Sequence, residues 1–502
     1  MLSVDNRADF NYNLGIKYGK IQVGHGVPWR IQMRRTKIVC TLGPASETKE
    51  VITGLCRAGM NVARLNFSHN THADHKRKAD IVKEVRDELG LPIAIMLDTK
   101  GPEYRIKTFE GGQIQLSDGD RFTFTTDEIV GNRERVSVSY KKLPEELSIG
   151  DTILLNNGLL SFLVDKIDGS EIECRVVCGG VLSDRKSMSF PGKVMKQPYL
   201  SEQDKLDIKW GVENGVDYIA CSFVSCKQDL VDVREYMKEL DAPDIELIAK
   251  IENQSGVDNI DEICRYCDGI MIARGDMGVE IPFEHLPAIQ KKLITKCRML
   301  GKRVITATEM LESMINNARP TRAEISDIAN AVYDGTSAIM LSGETAAGKY
   351  PVRAVETMAK IAETTEESIN YQKRFYESDF EIRNMTDAIS HSTCGMAIDI
   401  NAKAIVACSL SGMTARMVSR FRAPVPIIGL TTNENTWRKL ALSWGVIPAM
   451  CETFTSTDVL FYTAKKMAIK ELSLEKKDRI VITGGDTTGH SGNTNLIKID
   501  EI

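Results

Sequence analysis

Apolar runs that stop abruptly at polar residues recur along this chain. They cover 37–41, 62–65, 93–97, 218–221, 245–249, 269–272, 304–307 and 338–341. The residues that end them are Gly43-Pro44, Asn66-Phe67-Ser68-His69, Asp98-Thr99-Lys100, Ser222, Lys250-Ile251-Glu252-Asn253, Ala273-Arg274-Gly275-Asp276, Thr308-Glu309 and Ser342-Gly343-Glu344. Near-continuous apolar runs of this length suit strands buried on both faces of a parallel sheet. Amphipathic stretches with helical spacing lie between most of them, as at 49–58 and 323–333. Strands of this kind alternating with helices, with reactive side chains at the strand ends, predict an α/β fold, a TIM (β/α)8 barrel formed by 36–101 and 199–365.

One interval breaks the rhythm. From 102 to 198 the text becomes short alternating segments punctuated by Gly111-Gly112, Asp118-Gly119, Asn157-Gly158, Asp168-Gly169 and Gly179-Gly180. These turn dipeptides predict an all-β domain inserted in the third βα loop. An insertion on the face that carries the strand ends is placed to act as a lid. Beyond the barrel, 366–502 reads as helical segments followed by a C-terminal α/β domain, with buried strands at 404–407, 426–430 and 479–482. Two polar loops follow strands there: Ser409-Leu410-Ser411-Gly412-Met413-Thr414 and Gly484-Gly485-Asp486-Thr487-Thr488-Gly489. Each suits either a phosphate cradle or an ordinary turn with a helix cap; two in one domain favour a ligand site.

Residues 1–35 read as an N-terminal extension to the barrel. Its first 32 residues look foreign to the rest of the chain, as a disordered tail or a consequence of start-site choice, with Met33 as the natural start. This segment is charged and has no apolar h-region, so it is not a signal peptide. A chain of 502 residues exceeds one domain. A net charge of -5 provides no basic stripe, which argues against nucleic acid as a partner. No window has the uninterrupted apolar length of a membrane span, and the expected location is cytoplasmic. The twelve cysteines sit mostly in apolar runs, as core thiols do. Cys264–Cys267 forms a lone CxxC and Cys174–Cys178 a CxxxC, neither with a second half at metal-binding spacing.

The chemistry concentrates at Lys250, Glu252 and Asp276. One ammonium and two carboxylates at neighbouring strand ends can hold a divalent metal and a phosphate together. The competing reading is a surface ion-pair network, which strand-end placement and the flanking glycine disfavour.

With the strand ends assembled, the chain resembles the pyruvate kinase family from Thr36 onward. The matching blocks are TLGPAS at 41–46, NVARLNFSH at 61–69, LDTKGPE at 97–103, KIEN at 250–253, ARGDMG at 273–278, PTRAEISDIAN at 320–330 and MLSGETAAGKYP at 340–351. The resemblance implies transfer of a phosphoryl group from phosphoenolpyruvate to ADP, giving pyruvate and ATP, the last step of glycolysis. It implies catalytic roles for Lys250, Arg64 and Thr308, with substrate held by Arg64, Gly275, Asp276 and Thr308. Glu252 and Asp276 would bind Mg²⁺ or Mn²⁺; Asn66, Ser68, Asp98 and Thr99 would bind K⁺. Asn66, His69 and Arg105 match nucleotide-contacting positions. Arg64 could instead be a buried structural ion pair, the less favoured reading, and a solvated residue at a helix start suits His69 nearly as well as a ligand. Glu103 stands where the family's K⁺-dependent members carry glutamate, which implies activation by K⁺. The loop Ser409, Ser411, Gly412, Met413 and Thr414 implies activation by a phosphorylated effector, and the family implies a homotetramer.

Four positions depart from the family pattern. Asn156-Asn157 replaces acidic residues before Gly158, and Gln203 replaces a lysine in Ser201-Glu202-Gln203-Asp204. The segment Ser187-Met188-Ser189-Phe190-Pro191-Gly192 differs from the usual Gly-Val-Asn-Leu-Pro-Gly, and Glu309 replaces glutamine. The first two predict altered nucleotide handling and lid closure with the chemistry intact. Two rival readings stand beside the kinase: a metal-dependent barrel lyase or aldolase acting on pyruvate-like enolates, which needs no lid of this size, and a catalytically weak paralogue that binds metabolites as a regulator.

Overall fold

The computed structural model describes residues 34–193, 195–453, 456–485 and 494–502. Eight parallel strands close into a barrel: Lys37–Thr41, Val62–Asn66, Ala94–Asp98, Tyr218–Cys221, Glu246–Ile251, Gly269–Ala273, Arg303–Ala307 and Ala338–Leu341. The first and last pair with Lys37 opposite Ala338, which shuts the ring. These are the eight runs picked out by their apolar stretches. Several extend one residue past the onset of polarity because the ladder continues there, as where Asn66 pairs with Asp98. The interior is packed by Val39, Met96, Tyr218, Ile248, Met271 and Met340 among others, so the barrel is a core and not a channel.

The helices begin and end where local chemistry dictates. Lys49–Ala58 starts on the Thr48 hydroxyl and stops at Gly59, which takes φ 119°. Arg322–Asp334 opens with a reciprocal Thr321–Glu324 capping box and stops at Gly335, at φ 93°. Arg34 and Arg35 are part of this packed body: Arg34 is buried and donates to Gly59 O at 2.6 Å, and Arg35 N–H donates to Glu366. The ordered fold therefore starts before the expected boundary at 35. The expectation of a disordered tail otherwise lies outside the described residues.

The inserted segment forms a seven-stranded sheet and a two-stranded one around Phe122, Phe124 and Phe162. The C-terminal domain carries a five-stranded sheet in the order Val446–Met450, Ile427–Thr431, Ala404–Cys408, Arg479–Gly484, Leu496–Glu501. Its two outer strands escape the apolar-run reading. Val446–Met450 is an edge strand with Pro448 in it, and Leu496–Glu501 alternates with charge and runs antiparallel. The second polar loop, at Asp486–Gly489, lies outside the described residues. Among the described residues no helix is long and apolar enough to cross a membrane.

Candidate active site

The C-terminal ends of neighbouring strands deliver four charges to one point. Arg64 Nε donates to Asp98 Oδ2 at 2.6 Å, and its guanidinium also reaches Thr41 Oγ1 at 2.9 Å. Lys250 Nζ lies 3.1 Å from Asp98 Oδ1, 3.0 Å from Glu252 Oε1 and 2.7 Å from Ser222 Oγ. All six side chains are buried. Burial alone would push the Lys250 ammonium down, but Asp98 and Glu252 outweigh it and hold the group above the usual lysine range. Burial likewise opposes ionisation of Asp98, and the Arg64 and Lys250 cations reverse that and hold it below the usual carboxylate range.

Glu252 is pushed the other way. Its burial raises it, Lys250 pulls it back, and the neighbouring Asp276 carboxylate raises it again. Oε2 accepts the Phe223 N–H at 2.5 Å, while Oε1 is buried with no aligned hydrogen bond. Phe223 holds this contact at φ 57°, strained for an aromatic residue. Asp276 projects from the first turn of the helix Arg274–Glu280, which starts directly at the end of the sixth barrel strand.

Thr308 and Glu309 follow the seventh strand with φ 69° and 54°, two successive residues in the left-handed region. A β-branched residue there is a genuine outlier. The Thr308 hydroxyl donates to Ala307 O at 2.6 Å and accepts the Gly275 N–H at 2.7 Å. A side chain added at Gly275 would stand no closer than 3.5 Å to Thr308, so protein packing does not demand the glycine.

Arg64, Lys250, Glu252 and Asp276 open into a cleft of about 680 Å³ between the barrel and the inserted domain, whose lining does not include Gly275 or Thr308. Arg64, Asn66, Ser68, His69, Glu103, Arg105, Lys250, Glu252 and Asp276 all line it, together with Asn156 and Asn157 from the insert. Asp98 and Thr99 lie buried beneath its floor, where Thr99 is tied to Ser222 by two hydrogen bonds. Asn66 Oδ1 accepts the Ser68 N–H at 3.1 Å. Glu103 pairs with Arg105, and its Oε2 is buried without a hydrogen-bond partner, 3.7 Å from Lys100 Nζ. Asn156, Asn157 and Gly158 all have positive φ, at 53°, 56° and 78°. Asparagine tolerates that region better than most residues, which accounts for amides at this turn.

A scan against family models matches "Pyruvate kinase, barrel domain" over residues 33–355 and "Pyruvate kinase, alpha/beta domain" over 387–500. The chain belongs to the pyruvate kinase family. A pyruvate kinase of Clostridium acetobutylicum is 46% identical over 94% of this chain and 100% of its own length. One from Bacillus licheniformis is 48% identical over 93% of the chain and 80% of its own length. The crystal structure of a pyruvate kinase from Cryptosporidium parvum superimposes with a TM-score of 0.89 at 38% identity, covering 93% of this chain and 96% of that one. The protein is thus a phosphotransferase that moves a phosphoryl group from phosphoenolpyruvate to ADP. Neither the lyase nor the regulator reading gains any support.

Three residues of this pyruvate kinase site have no role in the motif reading. Ser222 ties Lys250 to Thr99, but a lone serine after a strand carries no distinctive signal. Arg274 donates to Ala307 O at 3.2 Å and Thr308 O at 2.6 Å, and pairs with Asp327 at 2.6 Å. Its signal is an arginine set between an apolar strand and a glycine. Glu280 accepts hydrogen bonds from the Ser189 hydroxyl and the Phe190 N–H, joining the insert to the helix that carries Asp276. Gln203 does not line the cleft: it donates to Asp207 at 2.8 Å, beside His72 at 2.6 Å from the same oxygen. In the C-terminal domain, Thr414 N–H reaches Ser409 Oγ at 3.4 Å and the Thr414 and Thr494 hydroxyls meet at 2.8 Å, closing the loop that holds Ser411, Gly412 and Met413.

Proposed function

We propose that Lys250 and Arg64 hold the phosphoryl group of phosphoenolpyruvate during its transfer to ADP. The observation that carries this reading is the Lys250 ammonium, fixed by Asp98, Glu252 and Ser222 at the cleft floor and kept fully charged. Phosphoryl transfer runs through a loose transition state, so fixed positive charge and alignment are what a protein contributes most. Thr308 stands beside Gly275 and takes part in proton delivery to the enolate carbon. An unperturbed hydroxyl is a weak acid, so the proton passes through it from water. Gly275 and Asp276 receive the substrate carboxylate; the Gly275 N–H leaves Thr308 Oγ1 to do so. Asn66 and His69, at the end of a barrel strand, and Arg105, from the insert, line the same cleft and receive the nucleotide.

Glu252 and Asp276 fit a divalent cation. Glu252 Oε1 is buried with no hydrogen bond besides its ion-pair contact to Lys250, and the Asp276 carboxylate raises the cost of ionising Glu252, which a divalent cation between them would relieve. Among the described residues no cluster of three acidic, His or Cys side chains encloses a metal alone. Mg²⁺ or Mn²⁺ bound here would complete its shell with substrate oxygens and water, and it would neutralise charge on the transferring phosphoryl group. Asn66, Ser68, Asp98 and Thr99 are oxygen donors for K⁺, and Glu103, whose buried Oε2 has no hydrogen bond and only a 3.7 Å contact to Lys100, adds negative charge to the same cleft. The loop of Ser409, Ser411, Gly412, Met413 and Thr414 takes a phosphorylated effector, in a cytoplasmic homotetramer.

The deciding experiment is pyruvate formation from phosphoenolpyruvate, ADP and Mg²⁺, run with K⁺ and with Na⁺ alone. Turnover that requires K⁺ supports both the reaction and the Glu103 assignment. Turnover indifferent to K⁺ removes the cation assignment, and no turnover in either salt removes the catalytic reading. Replacing Ser411 with Ala should abolish effector activation at low substrate while leaving the saturated rate unchanged.

A further inference from the structure

A second charged centre lies far from the cleft, between the barrel and the C-terminal domain. Arg298 comes from the last turn of the helix Leu286–Met299, and Lys302 and Arg303 lead from it into the seventh barrel strand. Arg416, Arg420 and Arg422 come from the helix Met413–Ser419 and the residues after it. These six cationic side chains line one narrow cleft that has no carboxylate in its walls.

Part of this charge has an evident structural use. Arg303 pairs with Glu246, Arg420 Nη2 stands 3.0 Å from Asp387, and Arg416 has two long contacts, to Glu246 at 3.6 Å and Asp268 at 3.7 Å. Arg422 donates to Ser419 O at 2.8 Å and Gly335 O at 3.0 Å, Arg420 to Met299 O at 3.2 Å, and Lys302 to Cys267 O at 2.7 Å. These contacts cap helix ends and strand turns.

The remainder has no such account. The Nε atoms of Arg298, Arg416, Arg420 and Arg422 are buried with no hydrogen-bond partner. Among the described residues the Arg298 guanidinium has no carboxylate or carbonyl partner at all; it faces only the Phe380 ring, 5.9 Å away. Burying unpaired cations side by side is costly unless something anionic joins them. Burial, then the Arg298 charge, push the Arg422 guanidinium down to about 9.

We infer that this interdomain cleft is an anion site, built for a phosphate group whose oxygens take the free guanidinium N–H donors. Guanidinium forks match phosphate geometry, and several converging on one point are the usual signature of a phosphate held by side chains. The cleft now has room for about 10 Å³, the size of a water, so the long arginine side chains swing apart to admit the anion. A neighbouring hollow of about 560 Å³ shares Lys302 as a wall and adds Arg265, Arg383 and the Lys296–Asp261 ion pair, a net cationic approach with room for the rest of a phosphorylated metabolite. The site is at the opposite end of the helix Met413–Ser419 from the loop proposed to take the effector, and it does not depend on that assignment.

The test is calorimetric titration of the full-length protein with inorganic phosphate and, separately, with glycerol phosphate. Wild type is compared with Arg298→Gln, Ser411→Ala and Lys250→Met. The expected result is a binding event that survives Ser411→Ala and Lys250→Met and weakens about tenfold or more in Arg298→Gln, with the saturated rate of that variant near wild type. Tighter binding of glycerol phosphate assigns the site to a phosphorylated metabolite, equal or tighter binding of inorganic phosphate to the free anion; both support it. An event untouched by Arg298→Gln, or none beyond those lost in Ser411→Ala and Lys250→Met, overturns it. Should Arg298→Gln not fold, Arg298→Lys replaces it, keeping the charge without the fork. Weakened binding then supports the site and wild-type affinity overturns it.

Discussion

Arg438 Nε, on the helix Glu434–Leu440 of the C-terminal domain, donates to Asp217 Oδ1 at 2.8 Å, and both side chains are buried. Asp217 immediately precedes the fourth barrel strand, and its other oxygen accepts the Ile95 N–H at 2.9 Å. At the far end of that strand Ser222 holds Lys250. One short strand thus spans the distance from a C-terminal-domain contact to the Lys250 ammonium. Removing one partner of a buried pair leaves an uncompensated charge, at a cost of about 3–5 kcal/mol. Arg438→Ala should lose about that much stability in denaturant titration, and Asp217→Asn combined with it should recover part of the loss. A single variant as stable as wild type would show the pair to be energetically idle.

Lys37 gives a pH dependence of definite sign. Burial, then the Arg34 cation, push it down to about 7, and Glu366 restores only part. Its ammonium donates to Val446 O at 2.8 Å. Between pH 7 and the unfolded value near 10.5 the unfolded chain carries a proton on Lys37 that the folded chain lacks. Stability therefore rises with pH across that window, by up to about 1.4 kcal/mol per unit from this site. Lys37→Met should flatten the dependence and raise stability at pH 7. The measurement is the unfolding free energy at pH 7, 8 and 9; an unchanged slope in the variant would refute the assignment.

Arg274 holds the strained pair Thr308–Glu309 by its contacts to Ala307 O and Thr308 O. Without that clamp the loop should relax from its left-handed conformation and take the Thr308 hydroxyl out of place. Arg274→Ala is expected to lower kcat by about a hundredfold, the scale of a lost alignment, with a smaller change in phosphoenolpyruvate KM. Arg274→Lys should recover only part of the rate, since one ammonium cannot serve two carbonyls and Asp327 together. Equal rates for wild type and Arg274→Ala would leave the arginine a purely structural role.

Glu280 ties the insert to the helix bearing Asp276 through Ser189 and Phe190. Glu280→Ala removes that tie and leaves the catalytic groups in place. The lid should spend less time closed, raising the KM for ADP severalfold while kcat at saturation changes little. Comparable loss in kcat and no change in KM would mean that Glu280 acts on the chemistry and not on closure.

Much of this was legible because barrel strands are buried on both sides. Lys250, Glu252 and Asp276 stand out where uninterrupted apolar runs end in charge, and the insert announces itself by its turn dipeptides. The contacts of Ser222 and Arg274 were not legible, because each joins strands far apart in sequence and neither residue type is distinctive. Gln203 illustrates the converse. Its departure from the family pattern suggests a lost nucleotide contact, yet the side chain bonds Asp207 within its own helix, which only the direction of the helix face reveals. Asp98, likewise, could be named as an oxygen donor from the motif, but not as the shared partner of Arg64 and Lys250.

Leu442, a C-terminal-domain residue, is fully buried among Val39, Tyr218, Ile248 and Met340 in the barrel interior. Around it Lys439 O accepts from Arg303 at 3.2 Å, and Ser443 Oγ accepts from the same guanidinium at 3.1 Å. The end of the barrel remote from the cleft is therefore stoppered by another domain's side chain. A catalytic half cut free of its C-terminal partner would have an open drain in place of a floor. Grafting a foreign regulatory domain onto this barrel would need a matching stopper as well as a matching linker.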